Sequence, residues 1–234
     1  MNLAVIVRRL GPYHVARFNA LAQAGSCRVS ILESSPRDET YAWTQLPDWR
    51  VFAHYAMSTT DSADSGRRPV RAIWRLLDQM PPDVLAVPGW SDPAALAGLA
   101  WCHSRTVPVV MMSDSTAHDE PRRIWKEGIK RRILRLASTA FVAGTSQVQY
   151  LMRLGMSRER MFTGYDVVDN AHFAQGADRA REAQADVRHR LALPARYFLC
   201  AARFVAKKNL PMLLSAYARY RGLAGASAAD LVLL

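Results

Sequence analysis

Six residues that can hold a hydroxyl or move a proton fall within seven positions of this chain: Ser113, Asp114, Ser115, Thr116, His118 and Asp119. The stretch, "SDSTAHD", follows an apolar run. Such density suits a sugar hydroxyl or a departing phosphate, with His118 or Asp114 available for acid–base work. The same residue types are also ordinary N-caps, and a helix is expected to start near Glu120. A second set lies in "YFLCAARFVAKKNL", where Arg203 follows an apolar strand and Lys207 and Lys208 precede a helix. Arginine offers a planar fork of donors and lysine a compact charge, a pairing that fits the two phosphates of a diphosphate. Asn209 is placed to cap that helix, whose dipole adds to the same field. The plainer reading is a basic β-α loop.

A third loop, "RRLGPYHVARF", turns from a strand through Gly11 and Pro12 into a helix from about Tyr13. Glycine permits a tight turn, and N–H groups at a helix start receive anions. It lacks the GxGxxG spacing, so a dinucleotide cofactor is not expected. The fourth feature is "RRIWKEGIKRRILR", residues 122–135, with seven cations against the single acid Glu127. Trp125, Ile129, Ile133 and Leu136 recur there at helical spacing. If that stripe packs on a sheet, the cations merely face water. If it is exposed, Arg123, Trp125, Lys126, Lys130 and Arg131 form a surface for anionic lipid.

These loops need a scaffold, and the patterning supplies one. Half of the 234 residues are hydrophobic, enough for a real core. Strands are expected near 2–8, 28–33, 49–55, 83–87, 107–113, 139–143 and 161–167. Between them "HVARFNALAQA", "PVRAIWRLLDQM", "DPAALAGLAWCHSR", the basic stretch 120–137 and "SQVQYLMRLG" carry the i, i+3, i+4 spacing of amphipathic helices. Alternation of this kind predicts an α/β fold with a doubly wound, Rossmann-like parallel sheet. Ligands of such sheets bind beyond the carboxyl ends of the strands, where the loops above lie.

The expected division is a first domain over 1–173, a charged linker over 174–195, and the opening β-α-β of a second Rossmann-like domain over 196–234. Residues 58–69 read as a flexible loop. The net charge of +11 calls for a polyanionic partner. No nucleic-acid motif or aromatic-rich basic platform is present, so nucleic acid is not expected. The N-terminus carries its charges after the apolar run, the reverse of a secretory signal. The protein is expected in the cytoplasm, peripheral on the inner face of a membrane if the basic helix binds lipid. The three cysteines are far apart and read as core filler.

In order and spacing these pieces resemble the glycosyltransferases of family 4 (group 1), which have the GT-B fold. The resemblance rests on the first strand with Gly11, on "GYDVVDNAHF" at 164–173, and on "AARFVAKKNLPMLLSAYARY" at 201–220. The last is similar to the family's Arg-x4-Lys-Gly element, with Arg203 and Lys208 in register and Asn209 where glycine is more usual. The phrase "SDST..D..R..KE..K" between 113 and 130 is similar to one branch of the family.

That resemblance implies transfer of a sugar from a nucleotide-diphosphate sugar to a glycan or lipid-linked acceptor, with retention and without a required metal or other cofactor. It implies surface polysaccharide or glycolipid synthesis. Arg203, Lys208 and Gly11 would hold the donor diphosphate. Ser115, Tyr13 and His14 would lie on the acceptor side, with His118 or Asp114 in the chemistry. The family's Thr-x-His at that strand end is replaced here by "SDSTAH". Its pair of glutamates lies farther along than residue 234, so this chain is expected to be a truncated, inactive part of the enzyme. Three alternatives stand beside this one: a nucleotide-sugar epimerase of GT-B fold, a non-catalytic module for anionic surfaces, and a shortened non-catalytic paralogue that binds an acceptor.

Overall fold

The computed structural model describes residues 1–35, 50–57, 67–119 and 121–234. It divides into two compact units, Met1–Asp169 and Asn170–Leu234. The first contains β1 (Asn2–Val7), α1 (Pro12–Gln23), β2 (Arg28–Glu33), β3 (Ala53–Ala56), α2 (Arg67–Gln79), β4 (Val84–Val87), α3 (Pro93–Arg105), β5 (Val109–Met111), α4 (Ile124–Leu134), β6 (Thr139–Val142), α5 (Thr145–Arg153) and β7 (Met161–Thr163). The strands form one sheet in the order β3-β2-β1-β4-β5-β6-β7. Every pairing is parallel, as between β1 and β2, where Leu3 faces Val29 and Val5 faces Ile31.

Both faces of that sheet are covered, which explains why β1 reads as a continuous apolar run rather than an alternation. Val5 and Val7 pack with Val15 and Phe18 of α1 on one face. Ile6 packs on the other with Leu77 of α2, Leu99 and Trp101 of α3, and Leu151 of α5. Helix α3 lies very close: a Cβ on Gly98 would stand 2.7 Å from Ile6 Cδ1 and 2.8 Å from Leu85 Cδ2. Cys102 is buried in this core, and burial pushes its thiol up to about 12, as suits a packing residue.

The doubly wound class is as expected, with local differences. The strand expected over 107–113 is only Val109–Met111, since Pro108 has no N–H to give the ladder. The one expected over 161–167 ends at Thr163, where Gly164 turns with φ +103°. The one expected over 49–55 is Ala53–Ala56, and residue 49 lies outside the described residues, as does 58–66 of the expected flexible loop. Helix α4 begins at Ile124 rather than near residue 120, after Pro121.

The second unit contains α6 (Asn170–Glu182), α7 (Gln184–Arg190), β8 (Tyr197–Cys200), α8 (Leu210–Ala224) and β9 (Asp230–Leu233). The segment 174–195, expected as a charged linker, is mostly helical, and its few large apolar residues leave the two helices exposed. Strands β8 and β9 pair in parallel, Phe198 facing Leu231. Helix α8 is pinned to the start of β9 by Tyr217 Oη donating to the Ala229 carbonyl at 3.1 Å and by Tyr220 Oη accepting the Ala229 N–H at 2.9 Å. Phe198 and Leu199 remain more than half exposed.

Candidate functional site

The candidate site of the first unit lies at the carboxyl ends of β1, β5 and β7. After β1 the chain reaches Gly11, the N-cap of α1, with Pro12 in the first helical position. Gly11 has φ −122°, extended backbone open to any residue, so the turn does not draw on glycine's freedom as expected. Two N–H groups of this turn are already engaged. Leu10 N–H donates to Glu33 Oε1 at 2.7 Å, and Gly11 N–H donates to His14 Nδ1 at 3.2 Å. The second bond fixes the histidine tautomer: Nδ1 accepts, so the proton of the neutral ring sits on Nε2. Burial, helped by the Arg17 guanidinium and opposed by Asp166, lowers His14 to about 4. His14 is therefore a neutral donor at pH 7.

Glu33, at the end of β2, is itself buried, and its second oxygen meets His54 Nε2 at 2.9 Å. It braces the Leu10–Gly11 turn from below. The adjacent loop is held by Ser34 Oγ donating to Asp92 Oδ2 at 2.8 Å, while Asp92 Oδ1 caps α3 through the Ala94 N–H.

One helical turn beyond His14, Arg17 reaches the segment after β7. Its Nε donates to the Val167 carbonyl and its Nη2 to Asp166 Oδ1, both at 2.7 Å. Its guanidinium lies 5.1 Å from the centre of the Tyr165 ring. Asp114, at the end of β5, is drawn into the same electrostatic group. It touches solvent, but the protein around it, then the charge of Asp166, push its carboxyl up, and Arg17 opposes them. Burial and then Asp114 likewise push the Tyr165 phenol up. Gly11, His14, Arg17, Asp114, Tyr165 and Asp166 thus form one cluster of coupled groups.

The rest of the "SDSTAHD" loop closes on itself. Asp119 accepts from the Thr116 N–H and Oγ1, both at 2.7 Å, and the His118 N–H reaches Thr116 Oγ1 at 3.3 Å. Ser113 is buried, with its Oγ accepting the Ser115 N–H at 3.3 Å. None of these residues caps α4, whose N-cap is Arg123. His118 stands exposed on that turn, outside the group around Asp114, and Tyr13 is partly exposed at the start of α1. On α4, Lys130 turns inward, donating to Tyr150 Oη at 2.9 Å and Glu127 Oε1 at 3.1 Å, which removes it from the expected lipid-facing set.

In the second unit, Arg203 and Lys208 flank a single short turn between β8 and α8, with Val205 N–H on the Arg203 carbonyl and Lys208 N–H on the Val205 carbonyl. Asn209 does not cap α8 with its side chain; it takes the left-handed conformation, φ 50° and ψ 43°. Asparagine is the non-glycine residue that tolerates this conformation best.

Sequence reading missed Arg17, Tyr165, Asp166 and Glu33. The available signals were the i, i+3 spacing of His14 and Arg17 and the position of Tyr165 just past the last strand. Nothing in the sequence pairs the two.

No family model and no curated protein matches this chain by sequence. Several solved structures match its fold. The UDP-GlcNAc 2-epimerase of Methanocaldococcus jannaschii aligns over 100% of this chain and 65% of its own, at TM-score 0.65 and 15% identity. The UDP-GlcNAc 2-epimerase of Neisseria meningitidis, solved bound to UDP-GlcNAc, aligns over 100% and 66%, at 0.65 and 12%. A glycosyltransferase of Rickettsia africae aligns over 93% and 57%, at 0.63 and 11%. The chain spans about two thirds of the length of the epimerases. At such identity the likeness establishes the fold, the Rossmann-like α/β architecture of GT-B type.

Proposed function

We propose that this chain is part of a nucleotide-sugar enzyme of GT-B fold that transfers a sugar from a nucleotide-diphosphate donor to a glycan or lipid-linked hydroxyl, in surface polysaccharide or glycolipid synthesis. The observation that carries the reading is the short connection from β8 to α8, which carries Arg203 just after the strand and Lys208 just before the helix. When the bond from the sugar to the diphosphate breaks, its electron pair leaves with the diphosphate oxygen. Fixed cations and a helix N-terminus stabilise that growing charge without reorganising.

In the first unit, Asp114 is the candidate base for the acceptor hydroxyl, because its raised carboxyl lies closer to the working pH than an ordinary aspartate. His14, neutral with Nε2 protonated, donates to a sugar or acceptor oxygen, and Ser115 and Tyr13 are assigned to the acceptor side with it. Gly11 lets the donor approach a turn that carries no side chain. His118 is the weaker candidate, standing apart from these groups. The reading requires neither a metal nor another cofactor.

Epimerisation of the nucleotide sugar is the second reading, supported by the fold likeness to two 2-epimerases. Product analysis separates the two: an epimerase converts a UDP-sugar to its C2 epimer with no acceptor present, whereas a transferase needs one. The shared part of both readings is tested by calorimetric titration with UDP, GDP and ADP. One nucleoside diphosphate is expected to bind, about tenfold more weakly after Arg203→Ala or Lys208→Ala. Binding of none, or binding unchanged by both substitutions, would remove the reading.

A further inference from the structure

Helix α4 is mounted the wrong way round for a solvated helix. Each residue turns a helix by about 100°, so Glu127, Lys130 and Leu134 share one side, and Ile124, Trp125, Ile129, Arg132 and Leu136 spread over the other. The side carrying the acid and a lysine faces the protein. There Tyr150 Oη donates to Glu127 Oε2 at 2.9 Å while accepting from Lys130 and from Arg122, each at 2.9 Å. Arg122 also lies 4.8 Å from the Tyr150 ring centre, and Lys130 lies 5.6 Å from that of Trp90. The other side carries Ile124, 93% exposed, Trp125, 60%, and Ile129, 47%. Of the apolar stripe read from the sequence, only Ile133 packs against the core.

An isolated surface leucine or isoleucine needs no explanation, but three large apolar side chains on adjoining helical turns do. They are surrounded by cations: Arg123, Lys126, Arg131, Arg132 and Arg135 are all exposed, and the one acid between residues 121 and 137 is turned inward. Apolar residues among unopposed cations complement a surface with anionic groups above a hydrocarbon layer. Nucleic acid would answer the charge and leave Ile124 and Ile129 in water.

We propose that the outward face of α4 docks on an anionic lipid bilayer, with Trp125, Ile124 and Ile129 entering the headgroup boundary and Arg132, Arg135, Lys126 and Arg123 pairing with lipid phosphates. The Arg122–Tyr150–Glu127–Lys130 knot holds the helix rigidly in that attitude. Arg122 also donates to the Thr116 and Ala117 carbonyls, so the docking face adjoins the loop that follows Asp114. On the reading of the function given above, this favours an acceptor carried in the bilayer. The docking itself does not depend on that reading.

The test is co-sedimentation of the full chain, without nucleotide, with vesicles of phosphatidylcholine alone or mixed with phosphatidylglycerol, at low and high salt. Binding is expected to the mixed vesicles at low salt, weaker at high salt, and slight to phosphatidylcholine alone. Arg132→Gln with Arg135→Gln is expected to weaken it about 25-fold, at about fivefold per cation. Trp125→Ser with Ile129→Ser is expected to weaken it at least tenfold, with the circular dichroism spectrum unchanged. No binding to the mixed vesicles, or equal binding by both double variants, overturns the proposal. So does binding to a DNA oligonucleotide with none to lipid. Self-association that Trp125→Ser abolishes, again without lipid binding, would assign the face to contact between copies and overturn it equally.

Discussion

Arg17 and Asp166 stand 149 positions apart in the chain, yet Arg17 Nη2 lies 2.7 Å from Asp166 Oδ1. Through this pair the first helix of the unit meets the segment after its last strand, and His14, Asp114 and Tyr165 fall under one local field. Arg17→Met keeps most of the side chain's bulk and removes its charge. Since Arg17 helps to lower His14 and opposes the rise of Asp114, both groups are expected to titrate higher in the variant. His14 should rise only part of the way from about 4 to 6.5, because burial is the larger cause. Asp166 is largely exposed, so stability should fall by no more than about 1 kcal/mol. An NMR pH titration reads both shifts; unchanged midpoints would mean that the groups are not coupled.

His14 also makes stability depend on pH. It titrates at about 4 in the folded chain and at the ordinary imidazole value of 6.5 in the unfolded one. Between these values the unfolded chain takes up a proton that the folded chain does not. Its contribution is therefore complete above about pH 6.5 and declines as pH falls through that window, by at most about 3 kcal/mol. Asp114, with a raised carboxyl, acts in the opposite sense, so the comparison must be between the parent and His14→Gln. Urea unfolding from pH 7 down to about pH 4 is expected to show the shallower decline in the variant.

Glu33 braces the Leu10–Gly11 turn. Glu33→Ala leaves the buried Leu10 N–H without its acceptor and is expected to destabilise the protein by about 2 kcal/mol. Glu33→Gln keeps an amide oxygen at the same reach and should lose less than half of that. Urea unfolding of both variants tests the ordering, and equal losses would show that the hydrogen bond to Leu10 is not what matters.

Asn209 holds φ 50° at the junction with α8. Asn209→Gly should be neutral within about 0.5 kcal/mol, whereas Asn209→Val should cost about 1–2 kcal/mol, since a β-branched residue fits the left-handed region poorly. Thermal unfolding checks the pair. If the proposed function holds, Asn209→Val should also weaken nucleotide binding by displacing the segment carrying Arg203 and Lys208 relative to the N-terminus of α8.

The scaffold was legible because its signals are local and periodic. The run "LAVIV" of β1, the apolar repeat of α3 and the Pro12 start of α1 are each set by neighbours in sequence. The parallel class follows from their alternation. The cluster at the carboxyl ends was legible only in part. Gly11 and Asp114 sit in loops that follow strands and His14 in the first turn of the helix after β1, where a site is expected, but Arg17 reads as an ordinary charge on an amphipathic helix. The helices of the segment 174–195 were not legible for a related reason: charge and few large apolar residues mark exposure, and they do not separate an irregular segment from an exposed helix.

By itself, the sequence determined the alternation of strands and helices in the first unit, the basic character of residues 122–135 and the order of loops along the chain, because each rests on side chains a few positions apart. Tertiary structure alone decided which residues share a field and which way a helix faces. Coulombic and hydrogen-bond partners such as Arg17 with Asp166, or Lys130 with Tyr150, are brought together across 149 and 20 positions by sheet order and packing. The period of α4 is compatible with either rotation about its axis. The partly buried hydrogen bonds of Glu127 and Lys130 select the rotation that leaves Trp125 and Ile129 outside.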